Sequence, residues 1–443
     1  MYTSFIGKHL LRLYAQKTGK EISARRFFDE VMFPLFFDDD RHLLHVGNSP
    51  FFQPPSAKDI AGGLSKSQVR LANLHQNIAN DPPNMAIFVG YAAKDPSGTT
   101  SGQVTNIPIT ITGEDMYASW IGEALAIGVS GGFVFLLNQP DVLWTLYEGW
   151  AYYRKYLNQS PSLKANQIET WNGHWLAHCF GKNYDPGNPM YQMEPDLADN
   201  KEGQHSIASK DWVRIVFALS RKFPGQSVTI YAYSLSKTNI TLGFINVLLP
   251  QVNRFFEMID NLMHIDNEES LSSPQVEQMY ETYYRFKEAC KLGVIGLKAI
   301  EPAHLREYMP KPFGRGKDFS FDTHSANIYF QIYKTWIIAM LSNKTELNEL
   351  AHELATALHA FEIKGGASSR GKSTDARLTE EVRTAPNLIK FIDKLSEVMD
   401  QRADDADLFR YAKDTVLKMP ADLFPLFITL LRFEYTYLKT KKA

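Results

Sequence analysis

The sequence predicts an α+β fold, with a mixed-sheet N-terminal region followed by a helical-bundle C-terminal region. Three observations carry that expectation. Short runs rich in β-branched and aromatic residues, bounded by turn residues, fall between about residues 80 and 250. From residue 251 onward the apolar residues recur almost wholly at helical spacing. The chain has 443 residues, 44% of them hydrophobic and 22% charged, which is ordinary for a folded protein. Length favours two or three domains. The expected division is a helical segment with a polar loop over 1–80, a mixed α/β domain over 81–250 and a helical bundle over 251–443.

Residues 1–45 read as two helices. Ser23 is a suitable N-cap for a helix from Ala24, and Phe27, Phe28, Val31 and Leu35 share one face of it. Pro34 is expected to kink or end that helix, because proline lacks the backbone N–H. HVGNSPFFQPP (45–55) is a loop by its Gly, Asn, Ser and Pro content, and Lys58–Asn80 is helical again. AIFVGYAA (86–93) and VTNIPITI (104–111) read as strands joined by the turn-rich DPSGTTSGQ. Glu114–Ile127 reads as an amphipathic helix, and GGFVFLL (131–137) as a buried strand. VTIYAYS (228–234) and ITLGFI (240–245) form a second strand pair. Helices are expected over 251–264, 274–298, 325–341, 345–361, 384–401, 407–417 and 420–438, with Pro274 and Pro386 in first-turn positions. IKGGASSRGKSTDAR (363–377) reads as a mobile basic loop between two of them. No internal repeat is visible.

Cys179 and Cys290 are the only cysteines, too few for a disulfide framework or a four-cysteine zinc site, and they suit a reducing compartment. The N-terminal MYTSFIGKHLLRLYAQK has no continuous apolar stretch of the secretory kind, and no run of 18 apolar residues exists. A cytoplasmic chain with no membrane partner is expected.

The formal net charge is −2, which argues against a surface that is basic throughout. The distribution is uneven. Lys8, Arg12, Lys17, Lys20, Arg25 and Arg26 stand against Glu21 alone over 8–26, and eight basic residues stand against four acidic ones over 285–318. Lysine and arginine neutralise phosphates and release their counterions, although a solvated helix face has the same composition. Two glycine-containing basic loops, KPFGRGK (311–317) and GGASSRGK (365–372), single out Arg315, Lys317, Arg370 and Lys372 as backbone-holding candidates. Glycine lets a chain approach a phosphate closely. VGNSPFFQ (46–53) and TTSGQVTN (99–106) are uncharged and rich in amides and hydroxyls. Asn48, Ser49, Gln53, Gln103 and Asn106 therefore offer donor–acceptor pairs suited to base edges, against the competing role of ordinary turn residues. The aromatic stretch 144–175, with Trp144, Tyr147, Trp150, Trp171 and Trp175, reads chiefly as core by its helical spacing, with base stacking as the rival use.

Catalytic patterns are sparse. HWLAH sets His174 and His178 four apart, a possible metal pair lacking an evident third ligand. Glu362 and Lys364 match half of a nuclease Glu-x-Lys pattern, but they follow a helical sequence where that pattern wants a strand. Asp38–Asp40 reads as a surface cluster. No phosphate-binding glycine loop and no nucleophile elbow is present, and no cofactor is expected.

A mixed N-terminal region with polar loops, followed by a helical bundle with basic loops, resembles the large subunit of type I CRISPR effector (Cascade) complexes. In that resemblance NSPFFQ and TSGQVTN stand where such subunits inspect a short motif flanking the target DNA, and the region after 251 stands where they hold displaced DNA. It implies a DNA- and RNA-binding subunit without enzymatic activity, with target DNA, guide RNA and other effector subunits as partners. The alternatives are a metal-dependent defence nuclease using Glu362 and Lys364, and a scaffold protein that binds no nucleic acid.

Overall fold

The computed structural model describes residues 1–55, 63–91, 110–199, 203–235, 241–265, 276–277, 279–311, 316–321, 323–341, 345–364, 374–401 and 405–442. The chain divides into two compact units. Unit 1 comprises residues 1–250 and 284–296, and unit 2 comprises 251–283 and 297–443. The mixed sheet lies in unit 1 and the helical bundle in unit 2, as an α+β chain requires. No helix among the described residues is long and apolar enough to cross a membrane.

Unit 1 opens with α1 (Tyr2–Thr18), which ends on Gly19 at φ 70°, where glycine meets no Cβ penalty. α2 (Ala24–Phe27) is capped by the Ser23 hydroxyl, which accepts from the Arg26 N–H. It runs on as a π-helix, Phe28–Phe37. Pro34 therefore does not end the helical backbone, which continues three residues past it in the wider form. α3 (Lys66–Asn80) and α4 (Gly113–Glu123) both start in capping boxes, Ser65/Gln68 and Thr112/Asp115. α1 and α4 pack glycine to backbone: a Cβ on Gly7 would overlap the Ala118 carbonyl, and one on Gly122 the Thr3 carbonyl.

The sheet follows. β1 (Ile127–Val129) and β2 (Phe133–Leu137) precede α5 (Pro140–Gln159) and α6 (Ile168–Cys179). β3 (Leu197–Asp199) and β4 (His205–Ile207) form a separate antiparallel pair, followed by α7 (Trp212–Lys222), β5 (Val228–Ser234) and β6 (Thr241–Val247). α8 (Leu249–Ile265) leaves unit 1 at Pro250, and the chain returns to it for α9 (Phe286–Lys291) and β7 (Val294–Ile295). The five-stranded order is β1-β2-β5-β6-β7, antiparallel except for the last pair. Phe135 faces Ala232, Ile230 faces Ile245, and a bulge at Ala232/Tyr233 coincides with Gly243 at φ 88°.

Much of the aromatic stretch is core, while Trp144 and Tyr147 are half-buried. Trp150, Tyr153, Trp171 and Trp175 are buried. Each indole finds a backbone acceptor: Trp150 donates to Ala124 O at 3.0 Å, Trp171 to Gly149 O at 3.1 Å and Trp175 to Thr145 O at 2.8 Å.

Unit 2 contains a 3₁₀ turn (Leu297–Ile300), α10 (Leu305–Tyr308), α11 (His324–Met340), α12 (Thr345–Lys364), α13 (Thr374–Arg383), α14 (Leu388–Gln401), α15 (Ala406–Leu417) and α16 (Phe424–Lys442). α16 packs against α11, α12 and α13, and its Phe427, Ile428, Leu430 and Leu431 are fully buried. The buried Arg432 guanidinium donates to Tyr308 O at 2.7 Å, Gly316 O at 2.9 Å, Lys317 O at 2.8 Å and Asp318 at 2.9 Å. It thereby ties the 308–318 segment to α16. Glu434, also buried, takes Lys334 at 2.6 Å and His352 at 3.0 Å.

Several expected elements differ. Residues 86–91 form turns rather than a strand, because side chains satisfy their backbone: Trp120 donates to Ile87 O, Ser119 accepts from Val89 N–H, and Thr3 donates to Val89 O. Of the expected strand 104–111, residues 104–109 lie outside the described residues, and Thr110 and Ile111 belong to no strand. The helix expected over 114–127 stops at Glu123, and Ile127 opens β1. The single helix expected over 274–298 is broken: residues 280–285 are not helical, and Gly293 at φ 78° turns α9 into β7.

Candidate functional site

The loop at 45–53 is built on stacked aromatics. Phe51 lies on Phe37 with ring centroids 4.1 Å apart, and Phe52 meets His45 at 4.3 Å. Within the loop the Ser49 N–H donates to Val46 O, the Phe52 N–H to Ser49 O, and the Gln53 side chain to Asn48 O at 3.0 Å. Arg70 donates to Gln53 O at 3.3 Å and pairs with Asp40 at 2.5 Å, which fastens the loop to α3. These ties separate the three polar candidates. Asn48 is exposed, sits at φ 63° and takes no side-chain hydrogen bond among the described residues. Gln53 is exposed but engaged with the loop's own backbone. Ser49 is fully buried, and its hydroxyl has no hydrogen-bond partner, so it is not presented to a ligand.

Gln103, Asn106, Arg315, Arg370 and Lys372 lie outside the described residues. Lys317 is exposed in unit 2. Its ammonium meets Glu307 at 2.5 Å, and its backbone N–H donates to Glu307 O at 2.7 Å. The hydrogen bonds from Lys317 and His304 hold the Glu307 carboxyl down to about 2.

The catalytic alternatives find structural partners. Glu362 and Lys364 occupy the last turn of α12, on a helix as their sequence context implied, and Glu362 pairs with Lys439 at 2.9 Å. His174 and His178 each place Nε2 against a backbone carbonyl, Ala208 O at 2.8 Å and Pro189 O at 2.9 Å. Burial lowers the pKa of both.

Two features escaped the sequence reading. The first is a pair of buried acids in unit 1. Glu123, at the end of α4, accepts the Tyr233 hydroxyl at 2.8 Å, and burial pushes its carboxyl up to about 7. Glu169 on α6 is pushed up to about 8, first by burial and then by the Glu123 charge. Nearby, Asn172 donates to Ala124 O at 2.9 Å and Ala126 O at 2.8 Å. Such groups hold protons near neutrality.

The second is a cavity of about 350 Å³ within unit 2. Its walls come from residues 279–281, 302–304, 308, 319–320 and from 323 onward along α11, with Tyr308, Phe319, Tyr329 and Tyr333 supplying aromatic surface. His304 at its rim is held at φ 65°, a conformation few non-glycine residues adopt. The only sequence trace of this cavity is the aromatic density over 308–333, and its residues come together through the fold. A more open hollow of about 490 Å³ in unit 1 lies beside Cys179, Lys182, Arg221 and Lys222. Burial pushes the Cys179 thiol up to about 12, which leaves it a poor nucleophile.

No protein-family model matches the chain, and no curated protein and no solved structure matches it.

Proposed function

We propose that this chain is a binding subunit that reads a short DNA sequence through the loop 45–53, in the manner of the DNA-inspecting large subunit of an antiviral CRISPR effector complex. The carrying observation is Asn48. Its side-chain amide is exposed and takes no hydrogen bond among the described residues, on a loop whose backbone is fixed by aromatic stacking and by Arg70. A rigid loop carrying one free amide suits base-edge readout, because asparagine presents a donor and an acceptor side by side and little entropy is lost on contact. The engagement of Glu362 by Lys439, and of both histidines by carbonyls, supports a binding role over the nuclease alternative.

The test is titration of the wild type and Asn48→Ala against duplexes that differ only in a short flanking sequence, each at two salt concentrations. Loss of a bidentate contact is expected to weaken binding to the preferred sequence by about 1–3 kcal/mol. The salt slope should hold, because no phosphate contact is removed. Equal losses on every sequence, or no DNA binding by the wild type, overturn the reading.

A further inference from the structure

We infer that the cavity of unit 2 binds a planar nitrogen heterocycle with an N–H edge, of the guanine class, stacked on its tyrosines with the Glu281 carboxylate taking that edge. The inference stands apart from the reading of loop 45–53, which lies in unit 1.

The cavity's volume of about 350 Å³ falls in the range of small-molecule sites. Its aromatic wall is continuous. Tyr308 lies 5.3 Å from Phe319 and 5.7 Å from Tyr333 between ring centroids, and Tyr329 lies one turn before Tyr333 on α11, 6.3 Å away. The Tyr333 hydroxyl donates to Ala303 O at 3.0 Å, which fixes that ring. Tyr329 is 40% exposed, so its ring retains open surface. A flat π-system is the natural occupant of such a wall.

The polar lining decides the charge and the edge. Glu281 lines the cavity, is exposed, and its carboxylate makes no hydrogen bond or ion pair among the described residues. Lys317, a basic residue on the neighbouring segment, is already paired with Glu307. Among the described residues His304 and Lys317 are both committed to Glu307 and Arg306 to Glu301, so the lining carboxylate of Glu281 favours a neutral group with N–H donors over a phosphate. A carboxylate presents two acceptor oxygens. Guanine matches them with adjacent N1–H and 2-amino donors, whereas adenine and uracil offer no such pair on one edge.

The same chemistry reaches the cavity as a free nucleoside or as an unpaired base of a bound strand. The experiment separates these sources. Calorimetric titration of the full chain uses guanosine, inosine, adenosine, tetramethylammonium and a short single strand with one guanine in a thymine run. Guanosine should bind, inosine more weakly for want of the 2-amino group, and adenosine weakest. Tyr329→Ala should weaken guanosine about ten-fold or more through lost stacking. Glu281→Gln should weaken it about ten-fold while leaving adenosine unchanged. Both side chains are exposed, so circular dichroism should show both variants folded. If guanosine competes with the strand, the site takes a base from either source. If only the free nucleoside binds, the site takes a small molecule. Asn48→Ala should leave all of these values unchanged, whatever its effect on duplex DNA. No guanosine binding at millimolar concentration, equal binding of guanosine and adenosine, binding indifferent to both cavity variants, or tetramethylammonium binding in place of guanosine each overturns the inference.

Discussion

Glu123 and Glu169 make stability depend on pH. A glutamate in an unfolded chain titrates near 4.5, whereas here the pair is pushed up to about 7 and about 8 by burial. The folded state therefore holds these protons more tightly than the unfolded state does. Where the native state binds more protons, stability falls as pH rises. The loss from this pair begins as pH climbs past the unfolded value and is complete above about 8. Glu169→Gln keeps the side-chain shape and removes its ionisation. We expect its Tm to exceed that of the wild type at pH 8.5, with the gap closing towards pH 5. Parallel Tm–pH curves for the two proteins would refute the account. Neither acid announces itself in the sequence. Glu123 stands in WIGEALAIG and Glu169 in QIETW, and nothing in either context distinguishes a buried acid from a solvated one. Burial here is conferred by β5, which lies far along the chain and brings Tyr233 to Glu123. Ser49 has the same character. Its loop was legible from Gly, Asn and Pro content, but its burial follows from the stacking of Phe51 on Phe37.

Among elements, the crossing of α1 and α4 carries a sharper demand than any helix start. Gly7 and Gly122 each face the other helix's backbone so closely that one methyl group would force the pair apart. Overpacking of a rigid contact costs about 1–3 kcal/mol, and here backbone rather than a flexible side chain stands in the way. Ser65→Ala, by contrast, removes one exposed cap from α3 and should cost about 1 kcal/mol. Denaturant unfolding of Gly7→Ala and Ser65→Ala should rank them in that order, and a Gly7→Ala cost at or below that of the cap would count against the close crossing. The elements also show what local pattern can reveal. β2, β5 and β6 were legible because period-two or apolar runs sat between clear turns. The segment 86–91 has the same composition, yet Trp120, Ser119 and Thr3 claim its backbone groups. β7 is two residues long, below the length at which a period can be read, and it exists through its pairing with β6. Most helices after residue 320 were legible within a few residues, because each buries one stripe, but α13 was missed: its Thr374–Arg377 fell in the expected loop 363–377 and the next helix was expected only from 384.

For the whole molecule, the excursion of the chain out of unit 1 and back has a consequence for truncation. Residues 284–296 complete unit 1 from beyond its main segment. Phe286, 2% exposed, packs against Phe133, Phe135 and Trp212 with centroids about 6 Å apart. The Trp212 indole donates to Tyr284 O at 3.2 Å, the Leu248 N–H donates to Ile295 O at 2.8 Å, and β7 covers the edge of β6. A fragment ending at residue 250 loses all of these. Loss of a buried phenylalanine side chain alone costs about 3–5 kcal/mol, and an uncovered strand edge invites aggregation. The fragment 1–250 is therefore expected to bind a hydrophobic dye and to melt broadly. A chain in which residues 251–283 are replaced by a flexible Gly/Ser linker and which ends at 296 should melt as one cooperative transition. Equal melting of the two would show that the returning segment is dispensable. If the linked chain folds, it also divides the two binding activities. Asn48 lies in unit 1 and the tyrosine-walled cavity in unit 2, so the linked chain should keep any Asn48-dependent DNA selectivity while losing guanosine binding.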